Sequence, residues 1–201
     1  MITLYDLGLS GNCHKIRLLL SMLDLPFKTV AMNLAAGDHR QPAYLALNPF
    51  GQVPTLTDGE VVMRDSQGIL VYLAKRYGGS AWWPEAPALQ GEIAGWLSTA
   101  ANEIAQGPNS LRLHRKFGRA IDQDRASAIT SATLGIIDSH VTMKKWLVGD
   151  GVTIADLAIY PYLALAPEGG VDLAVYPNIL RWFADIRALK GYVGMPGMWQ
   201  A

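Results

Sequence analysis

Apolar and polar positions in the first third of the chain alternate between two periods. Residues 2–5 form a short β-type run. Ile16, Leu19, Leu20 and Leu23 then fall at i, i+3, i+4 and i+7, the single apolar face of an amphipathic helix. Pro26 ends that helix, and residues 27–32 read as a second strand. A strand, a helix and a strand in about thirty residues is the spacing of a βαβ unit. A polar loop follows over 37–42, then a short apolar segment over 44–47.

The stretch Asn48 to Ser66 predicts a hairpin. Asn48-Pro49-Phe50-Gly51 is turn chemistry, with proline setting φ and glycine free to take φ > 0. Residues 53–57 read as a strand, Asp58-Gly59 as a two-residue turn, and 60–64 as the return strand. Asp65 and Ser66 are placed to cap a helix over 67–77. Pro54 lacks an N–H and belongs at the start of an edge strand. Pattern alone favours an ordinary trans bond there, because cis is uncommon even before proline. The first third therefore reads as βαβ followed by ββα.

Residues 78–87 carry Gly, Ser and Pro and form a candidate linker, which Trp82 and Trp83 would pack down. Beyond residue 88 only helical periods remain. One helix is expected over 88–106, with Ile93, Leu97, Ala100 and Ile104 on a face, and another over 122–146, carrying Ile129, Ile136, Ile137 and Val141. Thr153 and Asp156 have capping-box spacing, with Val152 and Leu157 placed as a hydrophobic staple, so a buried helix is expected over 154–165. A last helix is expected over 178–189. The expected organisation is an α/β domain at 1–77, a linker at 78–87 and an all-α domain at 88–201.

Composition narrows the function. Half of the residues are hydrophobic, enough for a substantial core, and 17 basic residues balance 17 acidic ones. That balance argues against a broad nucleic-acid surface. No apolar run is long enough to span a membrane, and the chain opens on a strand-like segment rather than a signal segment. The single Cys excludes an internal disulfide and fits a reducing cytoplasm.

Common catalytic patterns are absent. Gly8, Gly11, Gly149 and Gly151 do not make a dinucleotide fingerprint, and no P-loop or G-x-S-x-G occurs. His14, His39, His114 and His140 lack metal-ligand spacing, so no metal is expected. What remains is a set of small polar residues at helix starts: Ser10, Asp65 and Ser66. Free N–H groups and positive potential make such places anion-friendly, although simple capping explains the same residues.

Three stretches carry a more specific signal: Leu9 to Lys15 (LSGNCHK), Gly37 to Pro54 (GDHRQPAYLALNPFGQVP), and Asp65-Ser66. They resemble the glutathione-binding, thioredoxin-like domain of cytosolic glutathione S-transferases. Gly149 to Asp156 (GDGVTIAD) looks like the capping box of that family's helical domain. The resemblance spans nearly the whole chain, and the combination is specific where each piece is not. It implies a thioredoxin-like fold with a helical C-terminal domain, glutathione as co-substrate, and a homodimer. Ser10 matches the hydroxyl that theta- and phi-like members aim at the glutathione sulfur, and Asn12 an assisting Asn of some bacterial members. Val53 and Pro54 match a cis-Pro pair that binds the cysteinyl backbone, which reverses the reading of Pro54 from pattern. Asp65 and Ser66 match the pair holding the γ-glutamyl end. His39, Arg40 and Gln52 match groups around the glycyl carboxylate, with Arg40 where Lys is usual, a change of geometry at constant charge.

The resemblance thus implies a cytoplasmic glutathione transferase in which Ser10 supports thiolate attack on a hydrophobic electrophile. Asn102, Gln106, His114 and Phe117 are candidates for lining the electrophile pocket. Two alternatives stay open: a glutathione-dependent disulfide oxidoreductase or peroxidase, and a non-catalytic glutathione-binding interaction protein. Cys13 stands in the first turn of a helix, where a thiol pKa can fall, but a free Cys is more often simply packed.

Overall fold

The computed structural model describes residues 1–200; residue 201, the end of the expected helical domain, lies outside them. Strand β1 (Ile2–Asp6) alternates buried and half-buried positions. Helix α1 (Gly11–Met22) crosses to β2 (Phe27–Ala31), which pairs parallel to β1 with Leu4 opposite Thr29. After a 3₁₀ turn at Asp38–Arg40 and the short α2 (Pro42–Leu45), β3 (Thr55–Asp58) runs antiparallel to β1 with Leu56 opposite Leu4. The hairpin returns through β4 (Val61–Arg64), and α3 (Ser66–Leu73) follows. The sheet order is β2-β1-β3-β4. This mixed four-stranded sheet is the expected thioredoxin-like arrangement. Leu4 and Leu56 are fully buried, together with Ile16, Leu19 and Leu20 of α1 and Ile69, Leu70 and Leu73 of α3.

The short α4 (Gly79–Trp82) leads into the helical part, and Trp82 and Trp83 pack against the core. Helices α5 (Pro87–Ala101), α6 (Glu103–Gln106), α7 (Pro108–Phe117), α8 (Gln123–Met143), α9 (Ile154–Ala164) and α10 (Pro177–Arg187) complete the chain. All eleven residues of α9 are buried. It packs against both α1 and α5, so one apolar cluster runs continuously through the sheet layer and the helices. The capping box forms as the spacing predicts. Thr153 Oγ accepts from Ala155 N at 3.2 Å, and the Asp156 carboxylate accepts from Thr153 N at 2.9 Å.

Several expectations shift in detail. The register Asp58 opposite Val61 puts the hairpin turn at Gly59-Glu60, one residue later than expected, with Gly59 at φ 60°. The helix expected over 88–106 breaks at Asn102, where ψ is −83°. Its apolar face survives the break, because Ile104 of α6 stays buried in line with Ile93 and Ala100. Gly107 then lets the chain close on α8, since a Cβ there would lie 2.8 Å from the Glu103 carbonyl and 3.0 Å from Ile129. Helix α7 has no counterpart among the expected elements: it is short and polar on average, although its few apolar residues do share one face. On α8, Ile137 and Val141 are buried but Ile136 is 65% exposed.

Candidate functional site

Loop 7–10 places Ser10, and three anchors hold that loop. Ser10 N donates to the Leu7 carbonyl at 2.9 Å. Arg17, ion-paired with Asp6, donates to the Gly8 carbonyl at 3.2 Å. Arg112 of α7 donates to the Leu9 carbonyl at 3.0 Å. Ser10 is the N-cap of α1: its backbone is extended and its Oγ accepts from Cys13 N at 3.3 Å. One lone pair of the hydroxyl is thus occupied, and its proton points away from α1, where the cleft and the Tyr162 hydroxyl are its neighbours. Residues at this end of α1 also sit in the positive potential of twelve aligned peptides.

A cleft of about 990 Å³ opens in front of Ser10, between the sheet and the helices. On the sheet side it is lined by Ser10, Asn12, Asn33, His39, Gln52 and Val53. On the helical side it is lined by Asn109, Arg112, Leu113, Phe117, Arg119 and Tyr162. No aspartate or glutamate is among the lining residues. The Val53–Pro54 bond is cis, as the resemblance implies and against the reading from pattern alone. Its loop is held from behind. The Gln52 carbonyl accepts from Tyr44 Oη at 2.6 Å and Asn48 Nδ2 at 2.7 Å, and both side chains also reach Thr55 Oγ1. His39 Nδ1 is buried without a hydrogen-bond partner in the described residues. A donor in that position suits an anionic group entering the cleft.

The remaining expected residues lie outside this lining. Arg40 is exposed at the end of its 3₁₀ turn. Pro54 is buried beneath the cleft wall. Asp65 is the N-cap of α3 at φ 68°, and its carboxylate accepts from Gln67 N at 2.9 Å and Gly68 N at 3.3 Å. Ser66 is buried in the first turn, with its hydroxyl on Gln67 Oε1. Of the four candidates for the electrophile wall, Phe117 lines the cleft, whereas Asn102, Gln106 and His114 do not. The break at Asn102 and the start of α7 at Pro108 move that wall onto residues further along the chain.

Sequence reasoning did not find Arg112 or Tyr162. Arg112 is 2% exposed and pairs with Glu168 at 2.6 Å, and Lys116 pairs with the same carboxylate. Burial raises the Glu168 carboxyl, but the two cations outweigh it and hold it below its ordinary value. Gly169 allows this approach, since a Cβ there would lie 2.8 Å from Arg112 N. An arginine in a polar helix leaves no periodic signal. Tyr162 looks from sequence like one more residue of a buried helix.

Three titratable groups of α1 are buried beside the site. Burial pushes the Cys13 thiol up to about 12, and its Sγ accepts from Leu7 N at 3.4 Å. Cys13 is fully buried and absent from the cleft lining, so it packs rather than reacts. Burial, reinforced by Arg17, pushes His14 down to about 3. Burial pushes Lys15 down to about 7, against the opposing pull of the Asp65 carboxylate.

Fold and cleft together define a thioredoxin-like domain joined to a helical domain, with a helix N-terminus at the floor of the cleft between them. Comparison with known proteins agrees. The family description "Glutathione S-transferase, N-terminal domain" matches residues 4–81, and "Glutathione S-transferase, C-terminal domain" matches residues 98–190. Glutathione S-transferase 3 of Zea mays is 32% identical, over 95% of this chain and 91% of its own length. Glutathione S-transferase GstB of Escherichia coli K12 is 28% identical, over 92% of this chain and 93% of its own. A crystal structure of a glutathione S-transferase from Xanthobacter autotrophicus Py2 superposes with a TM-score of 0.90 at 28% identity, covering 98% of both chains. The chain belongs to the glutathione S-transferase family, whose enzymes use glutathione as co-substrate. Among the described residues, no helix is long and apolar enough to cross a membrane.

Proposed function

We propose that this protein conjugates glutathione to a hydrophobic electrophile, with Ser10 stabilising the thiolate. The observation that carries this reading is the position of Ser10: at the N-cap of α1 and on the cleft floor, with a hydroxyl that can donate to a group entering the cleft. A free thiol has a pKa of about 8.5, so only a few per cent is thiolate at neutral pH. A hydroxyl donor and a helix N-terminus both favour the charged sulfur, and lowering the thiol pKa by about two units needs roughly 2.7 kcal/mol. One hydrogen bond to a charged group plus a helix end is of that order.

In this reading the Val53 backbone, turned by Pro54, pairs with the cysteinyl backbone of glutathione. The unpartnered His39 Nδ1 and Gln52, both in the lining, face the glycyl carboxylate, and Arg40 reaches it from its exposed position on the adjoining turn. Asp65 and Ser66 hold the γ-glutamyl end at the start of α3. Leu113, Phe117 and Arg119 face the electrophile. The experiment is Ser10→Ala, with the pKa of bound glutathione read from thiolate ultraviolet absorbance and turnover of an aryl halide followed at neutral pH. The pKa should rise and turnover should fall. Unchanged values would remove Ser10 from the mechanism.

A second reading, glutathione-dependent reduction of disulfides or peroxides, is favoured by Asn12 standing beside Ser10 in the cleft. With Cys13 buried, that chemistry also has to use the glutathione sulfur. Faster turnover of a mixed glutathione disulfide than of any aryl halide would select it. Tight glutathione binding with no turnover of either substrate would select a binding protein instead. The proposed setting is the cytoplasm, consistent with a single buried thiol, and cell fractionation tests it.

A further inference from the structure

Tyr162 is the one residue of α9 that lines the cleft. The other residues of that helix are enclosed in the core. Two features aim its ring at the start of α1. Gly11 has no side chain, and a Cβ there would lie 2.8 Å from Tyr162 Cε1 and 2.9 Å from Cζ. The hydroxyl-bearing end of the ring therefore rests directly on the residue that follows Ser10. One turn further along the same face of α1, the Lys15 ammonium lies 5.6 Å from the ring centroid. The phenol is only 7% exposed, and the Asn12 N–H and the Ser10 hydroxyl, both acting to lower its pKa, are its polar neighbours at the start of α1. Burial raises its pKa above the ordinary tyrosine value, so at neutral pH it keeps the proton that a donor needs.

We propose that the Tyr162 hydroxyl is a second donor to the glutathione sulfur, so that the thiolate is held by one hydroxyl from each domain. The proposal rests on the reading of the Ser10 cleft as the thiol site. The chemistry favours a pair. The Ser10 hydroxyl carries a single proton, and its oxygen already accepts from Cys13 N. A thiolate accepts more than one hydrogen bond. A phenol, a stronger acid than an alcohol, is the better partner for it. Packing gives the arrangement a cost in variability: Gly11 cannot gain a side chain without displacing the ring. Docking of α9 against α1 thereby becomes part of building the site and not only of building the core.

The test is Tyr162→Phe in the full-length protein, with the pKa of bound glutathione and the pH profile of kcat/KM both measured. Binding of S-methylglutathione, which has no thiol to ionise, serves as the control. The bound thiol pKa should rise by about one unit, as expected for loss of one hydrogen bond to a charged atom. Turnover below that pKa should fall about tenfold, while the S-methylglutathione Kd stays within about twofold. Replacing Tyr162 with 3,5-difluorotyrosine, a more acidic phenol of nearly the same shape, should move the thiol pKa the opposite way. That readout does not depend on Tyr162→Phe folding. If both substitutions leave the thiol pKa and the pH profile unchanged while Ser10→Ala shifts them, Tyr162 only packs and the proposal is overturned. If wild-type protein fails to bind S-methylglutathione, the reading of the cleft fails first, and the second donor with it.

Discussion

The indole N–H of Trp182 donates to the Asp156 carboxylate at 3.0 Å, joining α10 to the first turn of α9. The same carboxylate accepts from Leu147 N at 3.0 Å and Thr153 N at 2.9 Å. A fully buried acid is costly unless donors surround it, and here they come from three separate segments of chain. Burial still raises the carboxyl to about 6, although those donors pull it down. Asp156 therefore fixes both where α9 begins and where α10 docks.

Asp156→Asn should destabilise the protein by about 3 kcal/mol or more, because an amide NH₂ would face N–H donors in a fully buried site. Urea denaturation reads this as a lower midpoint at unchanged slope. A loss below about 1 kcal/mol would mean that the site relaxes around the amide.

Lys15 predicts a pH dependence. Its ammonium is fully buried without a hydrogen-bond partner in the described residues, and burial lowers it from 10.5 to about 7. Between those values the unfolded chain keeps a proton that the folded chain has released. The unfolded state binds more protons, so this group makes stability rise with pH across the window. Lys15→Met removes the effect. Its stability gain over wild type should be largest near about pH 6.5 and should shrink towards about pH 9.5, by on the order of a few kcal/mol. A gain that does not vary with pH would show that Lys15 stays protonated when folded.

Tyr44 supports the cleft from behind through the Gln52 carbonyl and Thr55. Tyr44→Phe should cost about 1–2 kcal/mol of stability, since Asn48 alone remains to satisfy buried groups. It should also weaken glutathione binding about three- to tenfold by calorimetry, because Gln52 and Val53 lose their backing. Unchanged affinity would separate that loop from the binding site.

Asp65 has two roles that need different substitutions. It caps α3 and it holds a positive φ, so Asp65→Ala mixes lost capping and backbone strain with any loss of charge. Asparagine caps well and tolerates positive φ. Asp65→Asn should therefore leave thermal stability nearly unchanged while weakening glutathione binding by about one order of magnitude or more. Equal affinity for both proteins would mean that the γ-glutamyl ammonium lies elsewhere.

Assembly is the last expectation. A two-fold dimer would set α3 of one subunit against α5 of the other, an isologous arrangement. Light scattering at micromolar concentration should give twice the chain mass. A monomer with full turnover would exclude a role for the partner subunit.

Local chemistry determined much of this protein in advance. The periods of residues 2–32, the turn residues around Asn48 and Gly59, and the Thr153–Asp156 spacing are short-range features, and each appears as the kind of element it predicts, the hairpin turn one residue later. Ser10 and Asp65 were legible as helix caps for the same reason: a cap is written within four residues of sequence. Composition and period did not reveal that Val53–Pro54 is cis, and resemblance to a family was needed to expect it. Tertiary structure alone decided the far wall of the cleft. Arg112 meets the Leu9 carbonyl across 103 positions of sequence, and Tyr162 meets Gly11 because α9 docks on α1. Such contacts depend on how whole helices pack, and helix packing sums many weak contacts over long separations. No window of sequence contains both partners, so the residues that close the far wall of the cleft became visible only once the chain was folded.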